Sequence, residues 1–223
     1  GSWSNISEGL PDNKWVASIF ASPQYESLVF VSLNGYRDDD FKTYIFASND
    51  FGKSWTSLKG NLPEMVVNDI IQDPVNPALL YLGGDNGTYI SMDGGDSWEL
   101  LTAIPNVASY DLIVHPRENE LVVGTHGRSI YIVDVKPLQT IAGSNLEIMA
   151  FGKESVRSSS RWGEKRYEYL EAFEPKVTYL VYAKNTGEVA MTVMDENGNE
   201  QRSVTTTLSK VFNTIQWYLK VNK

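Results

Sequence analysis

One octapeptide pattern occurs twice in this chain, and it restricts the fold more than any other feature of the sequence. Residues 48–55 and residues 91–98 both read Ser-x-Asp-x-Gly-x-Ser-Trp. An Asp side chain accepts hydrogen bonds from backbone N–H groups two or three residues further along, and Gly adopts a positive φ at no steric cost. We therefore predict that each octapeptide forms a tight turn and that its Trp begins the next strand.

A longer repeat surrounds the two octapeptides. Each Trp is followed by a short segment that ends in Leu62-Pro63 or Ile104-Pro105, and the same run opens the chain from Trp3 to Pro11. Short apolar segments separated by turn residues complete each repeat. Units of 40 to 50 residues with four short strands are typical of β-propeller blades. Residues 1–141 are thus predicted to form about three four-stranded blades, with Trp55 and Trp98 buried between neighbours.

The octapeptides resemble the BNR or Asp-box repeat of β-propellers, and residues 124–131 resemble the closing segment of sortilin-like, glycosyl-hydrolase-like bacterial propellers. This resemblance implies an exported protein, secreted or held in the bacterial cell envelope, with a role directed at glycans. It equally allows a sortilin-like propeller that binds a peptide or protein without catalysis. The resemblance implies that eight residues have a structural role in the turns: Ser48, Asp50, Gly52, Trp55, Ser91, Asp93, Gly95 and Trp98.

The pattern changes after residue 141, which predicts a second domain at residues 142–223. Strands are predicted at 146–151, 176–182, 189–194, 202–207 and 214–218, and Asn197-Gly198 is a strong hairpin signal between the middle pair. This half resembles the immunoglobulin-like β-sandwich appended to many bacterial propellers. The charge also differs, because residues 1–138 carry 8 Lys and Arg against 18 Asp and Glu, whereas residues 139–223 carry 11 against 10. The predicted fold class is all-β.

Composition excludes several classes of function. The chain has no Cys, so it has neither a disulfide framework nor a thiolate metal site. No apolar run is long enough to span a membrane, and no leader is recognised within these residues. The net charge of −9 disfavours nucleic acid as a partner. The segments 93–96 and 195–199 lack calcium-loop spacing and are predicted to be structural turns. The acidic run at 38–40 is predicted to be a solvated loop, so we expect neither a metal nor another cofactor.

The ligand-binding face of a propeller is built from loops between the second and third strands and from loops that lead into the innermost strands. In this sequence those loops supply five candidate ligand-binding residues: Arg37, Asp85, Asn86, His126 and Arg128. His126 offers an acid–base group beside the fixed cation of Arg128. The alternative is a tight hairpin in which Arg128 forms a salt bridge with a neighbouring acidic loop.

Glycoside hydrolysis requires two carboxyl groups beside the scissile bond, or in sialidases a Tyr nucleophile helped by Glu. Asp69 and Asp111 occupy equivalent places in adjacent repeats, and Tyr110 precedes Asp111, so these three are the candidate catalytic residues. A sialidase-type arginine triad cannot be assembled. We predict that residues 1–223 alone do not hydrolyse glycosides. We also predict that the two open blade faces either lead to self-association or are covered in part by the second domain.

Overall fold

The computed structural model describes residues 1–144, 147–151, 167–168 and 176–218. The chain divides into two compact units, Gly1–Ser144 and Asn145–Lys223. Strands dominate the described part of both units, which confirms the predicted all-β class. The described part of the chain contains no helix with the length and apolar character needed to cross a bilayer.

Three antiparallel sheets build the first unit, and in each the strands neighbour one another in chain order. We call these sheets blades 1, 2 and 3. Blade 3 has three strands among the described residues instead of the predicted four, because the segment after β11 forms a helix. The strands are β1 Trp15–Ala21, β2 Val29–Gly35, β3 Asp40–Ser48 and β4 Thr56–Ser57 in blade 1; β5 Val67–Gln72, β6 Leu80–Gly84, β7 Gly87–Ser91 and β8 Glu99–Leu100 in blade 2; and β9 Ser109–His115, β10 Glu120–Thr125 and β11 Ile130–Asp134 in blade 3.

The first strands of the three blades lie side by side and run in the same direction. Ser18 Oγ donates to Asp69 at 2.6 Å, and Ser22 Oγ donates to Gln72 at 2.6 Å. Because both contacts follow the same chain direction, β1 and β5 are parallel. The Leu112 N–H donates to the same Asp69 carboxylate at 2.9 Å and places β9 on the other side of β5. Each blade thus packs against the next through its first strand, which is the arrangement of consecutive propeller blades.

The main core lies between blades 1 and 2. It contains Phe30 and Ile45 from blade 1 and Ile70, Leu82 and Trp98 from blade 2. Burying a large aliphatic side chain contributes about 1.5–3 kcal/mol, so this interface is a major source of stability. The prediction that both octapeptide tryptophans are core residues was correct for Trp98 only, because Trp55 is half-buried beneath the N-terminal segment.

Both octapeptides form the predicted turn with the same hydrogen bonds. In the first, the Gly52 N–H donates to Ser48 Oγ at 2.8 Å, while the Ser54 N–H and hydroxyl donate to the Asp50 carboxylate at 2.9 and 2.7 Å. The second repeats this geometry around Asp93. We call residues 48–55 and 91–98 the box turns. Each Asp satisfies the backbone of its own turn, so the box turns are explained as structural elements.

The carboxylate of Asp50 predicts an acid-sensitive contribution to stability. Hydrogen bonds from Ser54 and Ser48 lower the pKa of Asp50 to about 2, against an ordinary value of 3.8. A lowered pKa stabilises the folded state above the ordinary value, and this stabilisation is lost as the pH falls through the lowered one. The melting temperature of Asp50→Asn should therefore lie below that of the wild type at pH 7, and the difference should shrink between pH 4 and pH 2.

A matched substitution for this experiment is Asp96→Asn, because the Asp96 side chain accepts no hydrogen bond from any residue that the structure describes. Calorimetric melting at pH 7, 4 and 2 should show a pH-dependent difference for Asp50→Asn and a small, constant one for Asp96→Asn. An Asp50→Asn difference that stays the same over this range would contradict the assigned hydrogen bonds.

A short helix that the sequence did not predict follows blade 3. Helix α1 spans Lys136–Ile141, with Pro at its start and Leu138 and Ile141 buried. Its Gln139 side chain donates to the buried carboxylate of Asp73 at 3.0 Å, and Asn76 Nδ2 donates to the Gln139 carbonyl at 2.8 Å. The helix therefore packs against the β5–β6 turn of blade 2.

The second unit contains two sheets that share one core. Strands β12 Ile148–Phe151, β13 Val177–Ala183 and β16 Val211–Trp217 form one sheet, and β14 Gly187–Met194 pairs with β15 Glu200–Leu208 in the other. Val181 and Leu208 come from different sheets and lie in the same cluster, as in a β-sandwich. The predicted hairpin at Asn197-Gly198 joins β14 to β15. Residues 145–146, 152–166, 169–175 and 219–223 of the predicted domain lie outside the described residues.

Candidate functional site

One edge of the three blades brings together the loops that the sequence singled out. Because β1, β5 and β9 run in parallel, their first residues meet at this edge, and the antiparallel neighbours place the β2–β3, β6–β7 and β10–β11 turns there as well. We call it the loop face. The box turns lie at the opposite edge. All five predicted ligand-binding residues belong to turns of the loop face.

A β-bulge recurs at the loop-face end of each first strand. The register shifts between Val16 and Ser18 in β1, between Val67 and Asp69 in β5, and opposite Tyr110 in β9. The extra residues are therefore Ala17, Asn68 and Tyr110. Bulges turn a side chain away from the regular alternation and are common next to functional sites. Here they set the directions of Asn68 and Tyr110 at the loop face.

Blade 3 contributes a pair of rings to the loop face. The Tyr110 and His126 rings lie with their centroids 5.7 Å apart, at an angle of 45°. The His126 N–H donates to the Ala108 carbonyl at 2.9 Å, and Thr125 Oγ1 donates to the Ser129 carbonyl at 2.6 Å, so the β10–β11 turn is held in place. Tyr110 nevertheless remains 54% exposed. The sequence did not associate Tyr110 with His126, since 16 positions separate them.

Arg128 lies at the tip of the same turn and is exposed. It forms no hydrogen bond or ion pair with any residue of the described ranges, so the salt bridge considered as an alternative is not present there. The guanidinium group carries five N–H donors in a rigid fork, which suits a carboxylate or several hydroxyl groups. Arg128 is thus a cation available to a ligand at the loop face.

Blade 2 contributes a polar turn next to this pair. Asn68 Nδ2 donates to Asp85 Oδ1 at 3.0 Å and to the Ser109 carbonyl at 3.2 Å, which links the bulge of β5 to the β6–β7 turn and to blade 3. The Tyr89 hydroxyl donates to Asn86 Oδ1 at 3.2 Å. Asp85 and Asn86 both remain exposed and keep further hydrogen-bonding capacity for a ligand.

Blade 1 adds an aromatic and cationic stack. The Arg37 guanidinium lies 4.6 Å from the Trp15 ring centroid and 5.7 Å from that of Tyr36, and Arg37 Nε donates to the Tyr36 hydroxyl at 3.1 Å. Cation–π contact of this kind contributes about 0.5–1 kcal/mol at an exposed site. The stack holds the Arg37 side chain over Trp15, whose indole is about half exposed. Trp15 was missed as a site residue, although a Trp directly before a predicted first strand was a usable signal.

An ion pair fixes the base of the β2–β3 turn. Lys14 Nζ lies 2.8 Å from Asp40 Oδ2, and the Tyr44 hydroxyl donates to the same oxygen at 2.7 Å. The hydrogen bonds from Lys14 and Tyr44 hold the pKa of Asp40 far below its usual range. Asp40 therefore stays ionised and anchors the turn that carries Tyr36 and Arg37.

The three candidate catalytic residues differ in burial, because Asp69 lies in the interior while Tyr110 and Asp111 are exposed. Asp69 is only 8% exposed, and its carboxylate accepts hydrogen bonds from Ser18 Oγ at 2.6 Å and from the Ile70 and Leu112 N–H groups at 2.9 Å each. Burial raises the pKa of Asp69, although these hydrogen bonds oppose the shift. Both oxygens are used to join three adjacent first strands. Asp111 occupies the equivalent place in β9 and is exposed, as is Tyr110.

The described residues show no arrangement suited to a metal. Within these ranges, no three His, Cys, Asp or Glu side chains converge as ligands. The acidic run at residues 38–40 ends in Asp40, which is already paired with Lys14. The loop face therefore offers aromatic rings, two arginines and short polar side chains, a set suited to a neutral or acidic polar ligand.

Comparison with known proteins gives structural similarities alone. No protein-family model matches the chain, and no curated protein matches it. A GH74 enzyme from Niastella koreensis is 17% identical over 86% of this chain and 30% of its own, with a TM-score of 0.42. The GH74 xyloglucanase from Xanthomonas campestris is 9% identical over 88% and 29%, with a TM-score of 0.42, and an ancestral GH74 enzyme is 18% identical over 91% and 28%, at 0.38. The chain spans less than a third of each of these proteins.

Proposed function

We propose that the loop face binds a carbohydrate, in an exported bacterial protein directed at glycans, and that residues 1–223 do not themselves cleave it. One observation carries this proposal. Two exposed aromatic rings, Trp15 and Tyr110, lie at the starts of first strands on one face, each beside side chains with unused hydrogen-bonding groups.

The chemistry of a sugar ring fits this combination. Its C–H face is apolar and packs against an aromatic ring, while its hydroxyl groups need donors and acceptors around the edge. Tyr110 has His126 beside it, and Trp15 has Arg37. Asp85 and Asn86 in the intervening blade supply acceptors and donors between the two rings. A short oligosaccharide is therefore the ligand class that we assign to the loop face.

The proposal of binding without hydrolysis depends on the carboxylates. A hydrolase of the common type needs one carboxyl group as acid and a second as base or nucleophile. In this proposal Asp69 has a structural role, because its two oxygens accept hydrogen bonds from Ser18, Ile70 and Leu112 in the interior. Asp111 then lacks its predicted partner.

Peptide or protein binding is the second candidate, and the state of Arg128 favours it. A guanidinium group without a partner among the described residues suits a peptide carboxylate, through paired charge-assisted hydrogen bonds. The aromatic rings would then hold apolar side chains in place of sugar rings. The two candidates predict different ligands for the same face.

Binding to a glycan array provides the test. We expect the chain to retain at least one oligosaccharide class, and we expect Trp15→Ala and Tyr110→Ala to weaken that binding about tenfold each, equal to about 1.4 kcal/mol. Tyr25→Ala is the matched control, because Tyr25 is 52% exposed but lies in the β1–β2 turn away from the loop face. The retained glycan should be recovered uncleaved.

Two outcomes would count against carbohydrate binding. Retention of peptides but not glycans, lost on Arg128→Ala, would establish the second candidate. Glycan binding that survives both Trp15→Ala and Tyr110→Ala but falls with Tyr25→Ala would place the site elsewhere. Melting temperatures of all variants, measured in parallel, show whether a lost signal reflects unfolding.

A further inference from the structure

The outer face of blade 3 carries exposed apolar side chains. Ile113, Val122 and Ile132 lie opposite one another across β9, β10 and β11 and form one row. Ile113 and Ile132 are each 62% exposed. Monomeric proteins rarely expose a continuous apolar patch of this kind without a partner for it.

The equivalent rows of the other two blades show what covers such a face. In both blades, the middle residue of the row is buried, and the strand that carries it contacts the first strand of the following blade. These rows are Phe20, Phe30 and Ala47 in blade 1, and Ile71, Tyr81 and Ile90 in blade 2. The row in blade 3 repeats their register, so its surface matches the first strand of another blade.

The first strand of blade 1 also has an exposed apolar side chain, on the side that would face a preceding blade. Ile19 in β1 is 67% exposed, whereas its equivalents in the other first strands, Ile70 and Leu112, are buried against the preceding blade. Ile19, Ile70 and Leu112 are equivalent because each lies two positions after the extra residue of the bulge in its strand. The first strand of blade 1 is therefore shaped to pack on a preceding blade.

The N-terminal segment, residues 3–11, occupies the position of a preceding blade's fourth strand. Trp98 Nε1 donates to the Leu58 carbonyl of blade 1 at 2.8 Å, and Trp55 Nε1 donates to the Ile6 carbonyl at the same distance. Ile6 and Leu58 each come three residues after a Trp. Gly95 and Gly52 also approach Leu58 and Ile6 closely, since a Cβ added at either would contact them. The contact of the first box turn with Ile6 therefore has the same structure as the contact of the second box turn with Leu58.

Among the described residues, blade 3 has no strand at the corresponding place. Ala47 of β3 pairs with Thr56, and Ile90 of β7 pairs with Glu99, each the first residue after a box-turn Trp. Ile132 of β11 holds the same place in blade 3, but β11 is the edge of its sheet among the described residues. The matching residue of the N-terminal segment is Ser4, which follows Trp3.

We propose that two copies of this chain associate head to tail, so that blade 3 of each packs on β1 of the other and the N-terminal segment of each completes blade 3 of the other. The contact continues the blade-to-blade interface already present twice within the first unit. Two such contacts related by a two-fold axis close a ring of six blades, within the usual range of about four to eight. Both apolar faces and the edge of β11 are then covered.

A cysteine crosslink tests this arrangement, because the chain has no cysteine of its own. In the Ser4→Cys, Ile132→Cys double variant, we expect oxidation to give a disulfide-linked dimer on non-reducing gels. Ser4→Cys combined with Glu118→Cys is the control, since Glu118 is exposed in the β9–β10 turn, beyond the C-terminal end of β11 and not opposite Ser4, and should not crosslink. A disulfide within one chain, or no crosslink in a folded double variant, would overturn the proposal.

Light scattering on the unmodified chain provides an independent measurement. We expect the mass to approach twice 25.0 kDa with increasing concentration. Ile113→Asp should raise the dimer dissociation constant at least tenfold, whereas Val75→Asp, an equally exposed position in the β5–β6 turn, should leave it unchanged. A mass of one chain at every concentration, or equal effects of the two substitutions, would overturn the proposal even if the cysteine variants fail to fold.

Discussion

Replacing Trp98 by alanine is expected to lower the free energy of unfolding by about 3–5 kcal/mol. The indole is 2% exposed and packs in the core between blades 1 and 2. Its Nε1 donates to the Leu58 carbonyl at 2.8 Å, and its backbone exchanges two hydrogen bonds with the Asn61 side chain. The substitution leaves a cavity and a carbonyl without its donor. Denaturant unfolding followed by circular dichroism measures the loss.

Trp55→Ala is the matched control for this prediction. Trp55 holds the same place in the first box turn and makes the same hydrogen bond, to Ile6, but it is only half-buried. Its replacement should therefore reduce stability by clearly less than that of Trp98. Equal losses for the two variants would contradict the packing described for the blade 1–blade 2 interface.

The second large effect is expected at Asp69, where alanine should lower the free energy of unfolding by about 2–5 kcal/mol. The substitution removes the acceptor of the Ser18 hydroxyl and of the Leu112 N–H, which belong to the first strands on either side. A buried donor without an acceptor costs about 1–3 kcal/mol. The measurement is again denaturant unfolding at neutral pH.

Asp111→Ala provides the comparison, because Asp111 has the equivalent place in β9 but is exposed. Its replacement should change stability by less than about 0.5 kcal/mol. If Asp69→Ala instead kept full stability while abolishing a ligand-dependent activity, the structural role assigned to Asp69 would be wrong and the catalytic interpretation would be restored.

Local sequence patterns predicted the parts of the fold that depend on local interactions. The box turns were predictable because every hydrogen bond to Asp50 and Asp93 comes from within five residues. The hairpin at Asn197-Gly198 was predictable for the same reason. Strand spacing also identified the blades, since each first strand is a short apolar run between turn residues.

Contacts between distant residues account for what the sequence did not predict. Trp55 and Trp98 have identical local surroundings, and only the packing of neighbouring segments makes one buried and the other half-buried. Asp69 and Asp111 look alike in sequence, yet only Asp69 receives donors from two other strands. Helix α1 was not predicted because its burial depends on Asp73 and Asn76, more than 60 positions earlier.

The loop face was predicted in outline and missed in detail. The turns carrying Arg37, Asp85 and His126 were expected at this edge, and the strand directions place them there. The aromatic contribution of Trp15 was not expected, because only the fold brings Trp15 beneath Arg37.

Hydrogen–deuterium exchange of the whole chain, with and without the glycan that it binds best, tests the central claim most directly. Ligand binding at the loop face should slow exchange in residues 34–40, 84–87 and 125–130, while the box turns at 48–55 and 91–98 remain unchanged. Protection confined to the box turns, or to residues 176–218 of the second unit, would contradict the assignment of the loop face as the binding site.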